Sequence, residues 1–180
     1  RLQMIRAVID TNVLLVANGQ HVDVSEGCVI ECVKRLQTMQ KAGITVIDDD
    51  YRILGEYRNK TSLNPPKGVG DVFLKWLLRQ AGNPARVEQI SLTELAENEF
   101  AEFPDTTLQP AFDAPDRKFA AVAHAHPDKP PIWQAADCKW LDWWPTLQAK
   151  GVHVEFLCST DACGFYLKKF PGKPLPALPD

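Results

Sequence analysis

Four acidic residues stand where carboxylates can do chemistry. Asp10 ends the apolar run Ile5 to Ile9, broken only by Arg6, and is followed at once by Thr11, Asn12 and an apolar helical pattern. Asp137 ends a second apolar run, Ile132 to Ala136. Asp116 opens a helix. Glu56 falls in the second turn of another, at the border of an apolar face made by Ile53, Leu54 and Tyr57. In an open α/β sheet, strand C-termini and the N-termini of the following helices share one rim, where ligands bind. Four carboxylates gathered there cannot all remain bare like charges; they require protons or divalent cations. Oxygen donors favour magnesium or manganese over zinc or copper. A cation held this way activates water and stabilises the charge that builds on a phosphodiester during in-line displacement. The chemistry implied is hydrolysis of a nucleic-acid backbone.

Strand–helix alternation must supply the rim. Strand one, Ile5 to Asp10, leads into a short helix over Thr11 to Ala17, ended by Asn18-Gly19. Ser25 caps a longer helix with Val29, Cys32, Val33 and Leu36 at helical spacing, ended by Gly43. Ile44 to Ile47 is a β-branched run of strand length, and Asp48-Asp49-Asp50 offers caps for a helix from Tyr51 to about Lys60. Asn64-Pro65-Pro66-Lys67-Gly68 breaks the chain before an amphipathic helix over Gly70 to Gln80. Val87 to Leu92 reads as a short edge strand, and the acidic stretch Thr93 to Phe103 as helix or ordered loop. Pro115 sits in the first turn of a helix that ends at His126-Pro127. Strand three, Ile132 to Ala136, a helix over Trp140 to Lys150, strand four, Val152 to Leu157, and a short helix over Ser159 to Phe170 complete the pattern. The expected fold is α/β, with a mainly parallel central sheet of four to five strands in one domain over residues 1–170. A Pro-rich tail, 171–180, is expected to be extended or loose.

With 180 residues, 45% of them apolar and 24% charged, the chain can bury a real core. The net charge of −3 excludes nucleic-acid binding through a global basic field, so a polyanion must be held by a local patch or by bound cations. No apolar run reaches membrane-spanning length, and Arg1-Leu2-Gln3-Met4 is not a signal sequence. Five cysteines, Cys28, Cys32, Cys138, Cys158 and Cys163, are scattered through apolar surroundings without C-x-x-C spacing. They read as buried thiols in a cytoplasmic protein.

Plainer roles stand beside each candidate. Asp10 and Asp116 each suit the N-terminus of a helix. Asp48, Asp49 and Asp50 read as caps and a solvated turn, and Glu31 as a surface residue in mid-helix. His124 and His126 read as helix C-terminal dipole partners before a zinc pair. Trp133, Trp140, Trp143 and Trp144 read as core or interface before base-stacking groups. Arg58, Lys60, Lys67, Arg117, Lys118 and Lys139 lie near the rim and are candidates for phosphate contacts.

The motifs in their order resemble the PIN-domain nucleases. Val8-Ile9-Asp10-Thr11-Asn12-Val13-Leu14-Leu15 looks like that family's opening motif, and Ile53-Leu54-Gly55-Glu56-Tyr57 is similar to its second acidic position. Asp113-Ala114-Pro115-Asp116-Arg117-Lys118-Phe119 resembles the third motif, and Ala135-Ala136-Asp137-Cys138-Lys139-Trp140 the fourth. The resemblance covers roughly residues 5 to 157. It implies a three-layer α/β/α sandwich and a Mg²⁺- or Mn²⁺-dependent endoribonuclease, of the kind found as toxins of toxin–antitoxin pairs. Asp10, Glu56, Asp116 and Asp137 would be its metal-binding and catalytic acids. Thr11, Asn12, Arg117, Lys118 and Lys139 would contact substrate. It further implies a homodimer, with an antitoxin or other regulatory protein as partner. One position departs from the pattern: the family often has an acid two residues after the last Asp, where this chain has Lys139. Two alternatives stay open: a catalytically silent module binding RNA or a protein, with the Lys139 ammonium in place of a cation, and a nuclease acting on single-stranded or structured DNA.

Overall fold

Strands buried on both faces must be apolar along their length, and the central strands read that way. The computed structural model describes residues 4–180; Arg1 to Gln3, within the stretch read for a leader, lie outside the described residues. The first half runs β1 (Ile5–Ile9), α1 (Thr11–Ala17), α2 (Glu26–Ala42), β2 (Gly43–Asp48), α3 (Arg52–Lys60) and α4 (Val69–Gln80). Then come β3 (Val87–Ile90), β4 (Glu94–Ala96) and β5 (Glu99–Phe100). The rest is α5 (Arg117–Ala125), β6 (Ile132–Gln134), α6 (Trp140–Ala149), β7 (Val154–Phe156) and α7 (Ser159–Lys169).

The central sheet has five strands in the order β3-β2-β1-β6-β7, and every pairing is parallel. All six residues of β2 are buried, as are the last three of β1. Right-handed crossovers place α1 to α4 on one face and α5 and α6 on the other, giving a three-layer α/β/α sandwich. The chain leaves β1 toward β2 on one side and returns to β6 on the other. The strand order therefore reverses between β1 and β6, which is where a doubly wound sheet opens a crevice. Ile9 lies beside Trp133 in that pairing.

The Thr93 to Phe103 stretch is neither helix nor loop but the antiparallel hairpin β4–β5. Its turn is made by Asn98 at φ 56°, a conformation that asparagine tolerates better than most residues. Close helix packing fixes α1. A Cβ on Gly70 of α4 would run into the Leu14 carbonyl oxygen. The tail 171–180 has no regular structure but is not loose throughout, because Trp144 Nε1 donates to the Ala177 carbonyl at 2.9 Å. Among the described residues, no helix is long and apolar enough to cross a membrane.

The cysteines depart from expectation. Cys28 of α2 and Cys158, just before α7, form a disulfide across 130 residues, while Cys32, Cys138 and Cys163 are free. The pairing is tertiary: α2 leads to β2 and α7 follows β7, and the two helix N-termini meet. Ser25 caps α2, and its N–H and hydroxyl both donate to Asp161 in the first turn of α7 (2.6 and 2.8 Å). The bond removes the all-thiol argument for a reducing compartment.

Candidate functional site

Asp10 follows β1 directly, and its position is fixed by neighbours on both sides. Its N–H donates to the Trp133 carbonyl (3.0 Å), and the preceding carbonyl of Ile9 accepts from the buried Tyr57 hydroxyl. One oxygen, Oδ2, caps α1 by accepting from the Asn12 N–H (2.9 Å). The capping role is real, but it occupies one oxygen only. The Asn12 side chain in turn accepts from the Ala136 N–H (3.1 Å), stitching the loop after β6 to the first turn of α1.

That loop carries Asp137, three residues beyond the end of β6, since regular pairing stops at Gln134 rather than Ala136. Asp137 is half-buried and accepts from the Lys139 N–H (3.1 Å). Asp116 closes a 3₁₀ turn over Ala114–Asp116 that leads into α5, and its side chain makes no capping bond. Glu56 reaches the rim from α3, which packs against both α1 and α5. Its two oxygens are held, one by the Thr11 hydroxyl and the other by Lys118 Nζ at 2.9 Å.

Asp10 and Asp116 each feel the charges of neighbouring acids. Burial, opposed by the Asn12 N–H and reinforced by the charges of Asp137 and Glu56, pushes the Asp10 carboxyl up to about 7. Burial followed by the charges of Asp10, Asp137 and Glu56 pushes Asp116 up to about 9, against a small pull from Lys118. Burial also raises Asp137, against the Lys139 N–H and the charges of Lys169 and His21. The charges of Asp10, Glu56 and Asp137 all act on Asp116, so the four acids share one neighbourhood.

The donor set is hard oxygen, which suits magnesium or manganese. Among the described residues, no three of these carboxylates bring one oxygen each within 4.8 Å of one another. Such spacing fits an ion held by one or two carboxylates and otherwise by water, the habit of magnesium. Gln134 adds a polar edge. Its side chain is fully buried beside Asp10, whose carboxyl it helps to lower; among the described residues Nε2 has no partner within hydrogen-bond distance, and Oε1 accepts from the Asp137 N–H at 3.4 Å. A buried amide left this way is costly unless something at the site completes its bonding.

The basic residues lie differently from expectation. Lys118 is 7% exposed and is bound to Glu56 and the Pro115 carbonyl, so it is an internal counter-ion rather than a free phosphate contact. Arg117 donates to the carbonyls of Phe112 (3.0 Å) and Asn98 (3.2 Å), tying the β4–β5 hairpin to the loop before α5. Lys139 Nζ pairs with Asp113, at the margin of the rim.

Several plainer readings fit the geometry. Both oxygens of the buried Asp48 cap α3, accepting from Arg52 and Ile53 N–H at 2.9 Å each. Glu31 pairs with Arg35 at 2.9 Å within α2. Trp133, Trp140 and Trp143 are buried, the last stacked on Phe112 with centroids 3.9 Å apart. His124 bonds the Glu102 carbonyl, and His126 bonds Glu88 at 2.9 Å, so the two do not form a pair.

The sequence reading missed Gln134, Tyr57, His21 and Lys169 as neighbours of the acids. Gln134 had a signal, an amide inside an otherwise apolar strand. His21 and Lys169 had none, because α7 reaches the rim only through the fold; His21 stacks on Phe165 of that helix at 5.5 Å. Comparison with family models, with curated proteins and with solved structures found no match.

Proposed function

We propose that the chain is a PIN-like, magnesium- or manganese-dependent ribonuclease. The observation that carries this reading is the meeting of Asp10, Glu56, Asp116 and Asp137 at the β1/β6 switch point, beside a buried amide whose Nε2 has no partner among the described residues. Asp10, Asp116 and Asp137 would hold the ion, one or two of them directly and the rest through its water shell. When bound, it would supply an acidified water and charge stabilisation for the phosphodiester. Asn12 fixes the loop after β6 against the first turn of α1, so that Asp10 and Asp137 keep their spacing. Thr11 and Lys118 orient Glu56, which lies where it can align the attacking water.

A second reading has its own observation. Lys118 already brings a cation to Glu56, and Lys139 stands at a position expected to be acidic. Both suit a silent module that binds RNA or a protein without a metal. Calorimetric titration with manganese separates the two. The ribonuclease reading expects saturable binding that is lost in Asp10→Asn, together with cleavage of labelled RNA or single-stranded DNA that stops in EDTA. Absence of both binding and cleavage would overturn it.

A further inference from the structure

Away from the carboxylates, α2 and α7 enclose three sulfur atoms. Cys28 and Cys32 are four residues apart, so they lie on one face of α2. Cys158 faces them from the cap position of α7. All three are buried, and their Sγ atoms lie within 4.8 Å of one another, the one group of three potential metal-ligating side chains this close among the described residues. A disulfide uses only two of them. Cys32, fully buried, is left with its sulfur 3.9 Å from that of Cys158.

We propose that Cys28, Cys32 and Cys158, when reduced, form a three-thiolate site for a zinc ion, and that the Cys28–Cys158 disulfide and the bound metal are alternative states of this trio. Zinc–sulfur bonds of 2.3 Å at tetrahedral angles set sulfurs about 3.8 Å apart, and Cys32 and Cys158 already stand at that spacing. Reducing the disulfide frees Cys28 to reach the same distance by rotating its side chain. The fourth position is left to water or a small anion, as in other sites with three protein ligands.

The surroundings act on the sulfurs in opposite directions. Cys158 caps α7, and Cys28 lies in the first turn of α2, whose cap Ser25 also binds Asp161 of α7. Two helix N-termini therefore direct their positive ends at the trio, and such ends stabilise thiolates. Burial, joined by the charges of Glu31 and Asp161 and opposed by that of Arg35, pushes the Cys32 thiol up to about 12, so it carries its proton until a cation displaces it.

The two states interconvert by a balanced step. A low-molecular-weight disulfide accepts the electron pair of the Cys28 and Cys158 thiolates, the Cys28–Cys158 bond forms, and two small thiolates leave. The zinc ion is released, and Cys32 takes up a proton. The proposal is independent of the nuclease reading, because its donors are sulfur and its site is separate from the carboxylates.

The test uses the whole chain, reduced, stripped of metal and kept free of oxygen, titrated with Co²⁺ and then Zn²⁺. The expected result is thiolate-to-cobalt charge-transfer absorption that saturates at one ion per chain and is displaced by zinc. It should persist in Asp10→Asn, and it should be lost in Cys32→Ser and in protein pre-oxidised by the small disulfide. Absence of the band in the reduced chain, or an undiminished band in Cys32→Ser, would overturn the proposal. Alkylation of the unsubstituted chain needs no variant to fold. Zinc should slow modification of Cys28, Cys32 and Cys158 but not of Cys138 and Cys163, and equal rates with and without zinc would overturn the proposal equally.

Discussion

Replacing Asp116 by Asn removes an ionisable group from the most crowded point of the rim without removing a capping bond. The Asp116 carboxyl is raised from 3.8 to about 9 by burial and by three neighbouring carboxylates. An acid whose folded value lies above its unfolded value binds its proton more tightly when folded. Stability therefore falls as pH rises between those two values. At pH 7 the folded chain keeps a proton that the unfolded chain has released, a cost of ~4 kcal/mol at 1.36 kcal/mol per unit. Asn carries no such cost, so Asp116→Asn should be the more stable protein in EDTA. For a chain of this size, a gain approaching that ceiling raises Tm by roughly 10 °C. The gain should shrink as pH falls toward 3.8, where both states are protonated. Manganese should raise Tm of the parent and leave the variant much less changed. The assay is thermal unfolding across pH, with EDTA and with manganese. A variant that melts lower than the parent at neutral pH in EDTA, or a difference that does not depend on pH, would refute the crowding argument.

Manganese affinity should strengthen with pH from about 7 to about 9, because the ion must displace protons from Asp10 and Asp116. Calorimetry in buffers of different ionisation enthalpy should count the protons released. Lys118→Met leaves Glu56 without its counter-ion and should lower metal-free stability by roughly 1–3 kcal/mol, read from the urea midpoint. Gly70→Ala drives a methyl group into the Leu14 carbonyl and should cost about 1–3 kcal/mol in the same assay. Asn12→Ala removes the link to the Ala136 N–H and should lower activity more than stability, checked by comparing kcat with the unfolding midpoint.

The frame was readable because buried parallel strands leave a strong trace. Ile44 to Ile47, apolar but for Thr45, and Ile132 to Trp133 are buried, and acids follow within a few residues of each. Asp10 was legible for the same reason: it stands between an apolar strand and an apolar helix. What stayed hidden depends on partners far away in sequence. Glu94 to Phe100 is mostly exposed and too short to show a period, so its hairpin depends on a turn at Asn98 and cross-strand pairing. Lys118 looks like any surface lysine until α3 brings Glu56 to it across 62 residues. Asp71, in the amphipathic helix after the proline break, is buried and accepts from Asn18 Nδ2, Ser62 N–H and Lys67 N–H, partners that no local pattern announces. The Cys28–Cys158 bond has no local signature, because cysteine spacing along the chain carries no information about contacts between α2 and α7.

The most direct test of the account is cleavage of labelled RNA by the parent chain and by Asp10→Asn, with manganese and with EDTA. Asp10 touches both strand-end loops and faces the other acids, while its capping bond can be kept by the Asn oxygen. The account predicts manganese-dependent cleavage by the parent and a loss of at least roughly a hundredfold in kcat/KM in a variant that remains folded. Cleavage at the parent's rate by folded Asp10→Asn, or cleavage unaffected by EDTA, would contradict it.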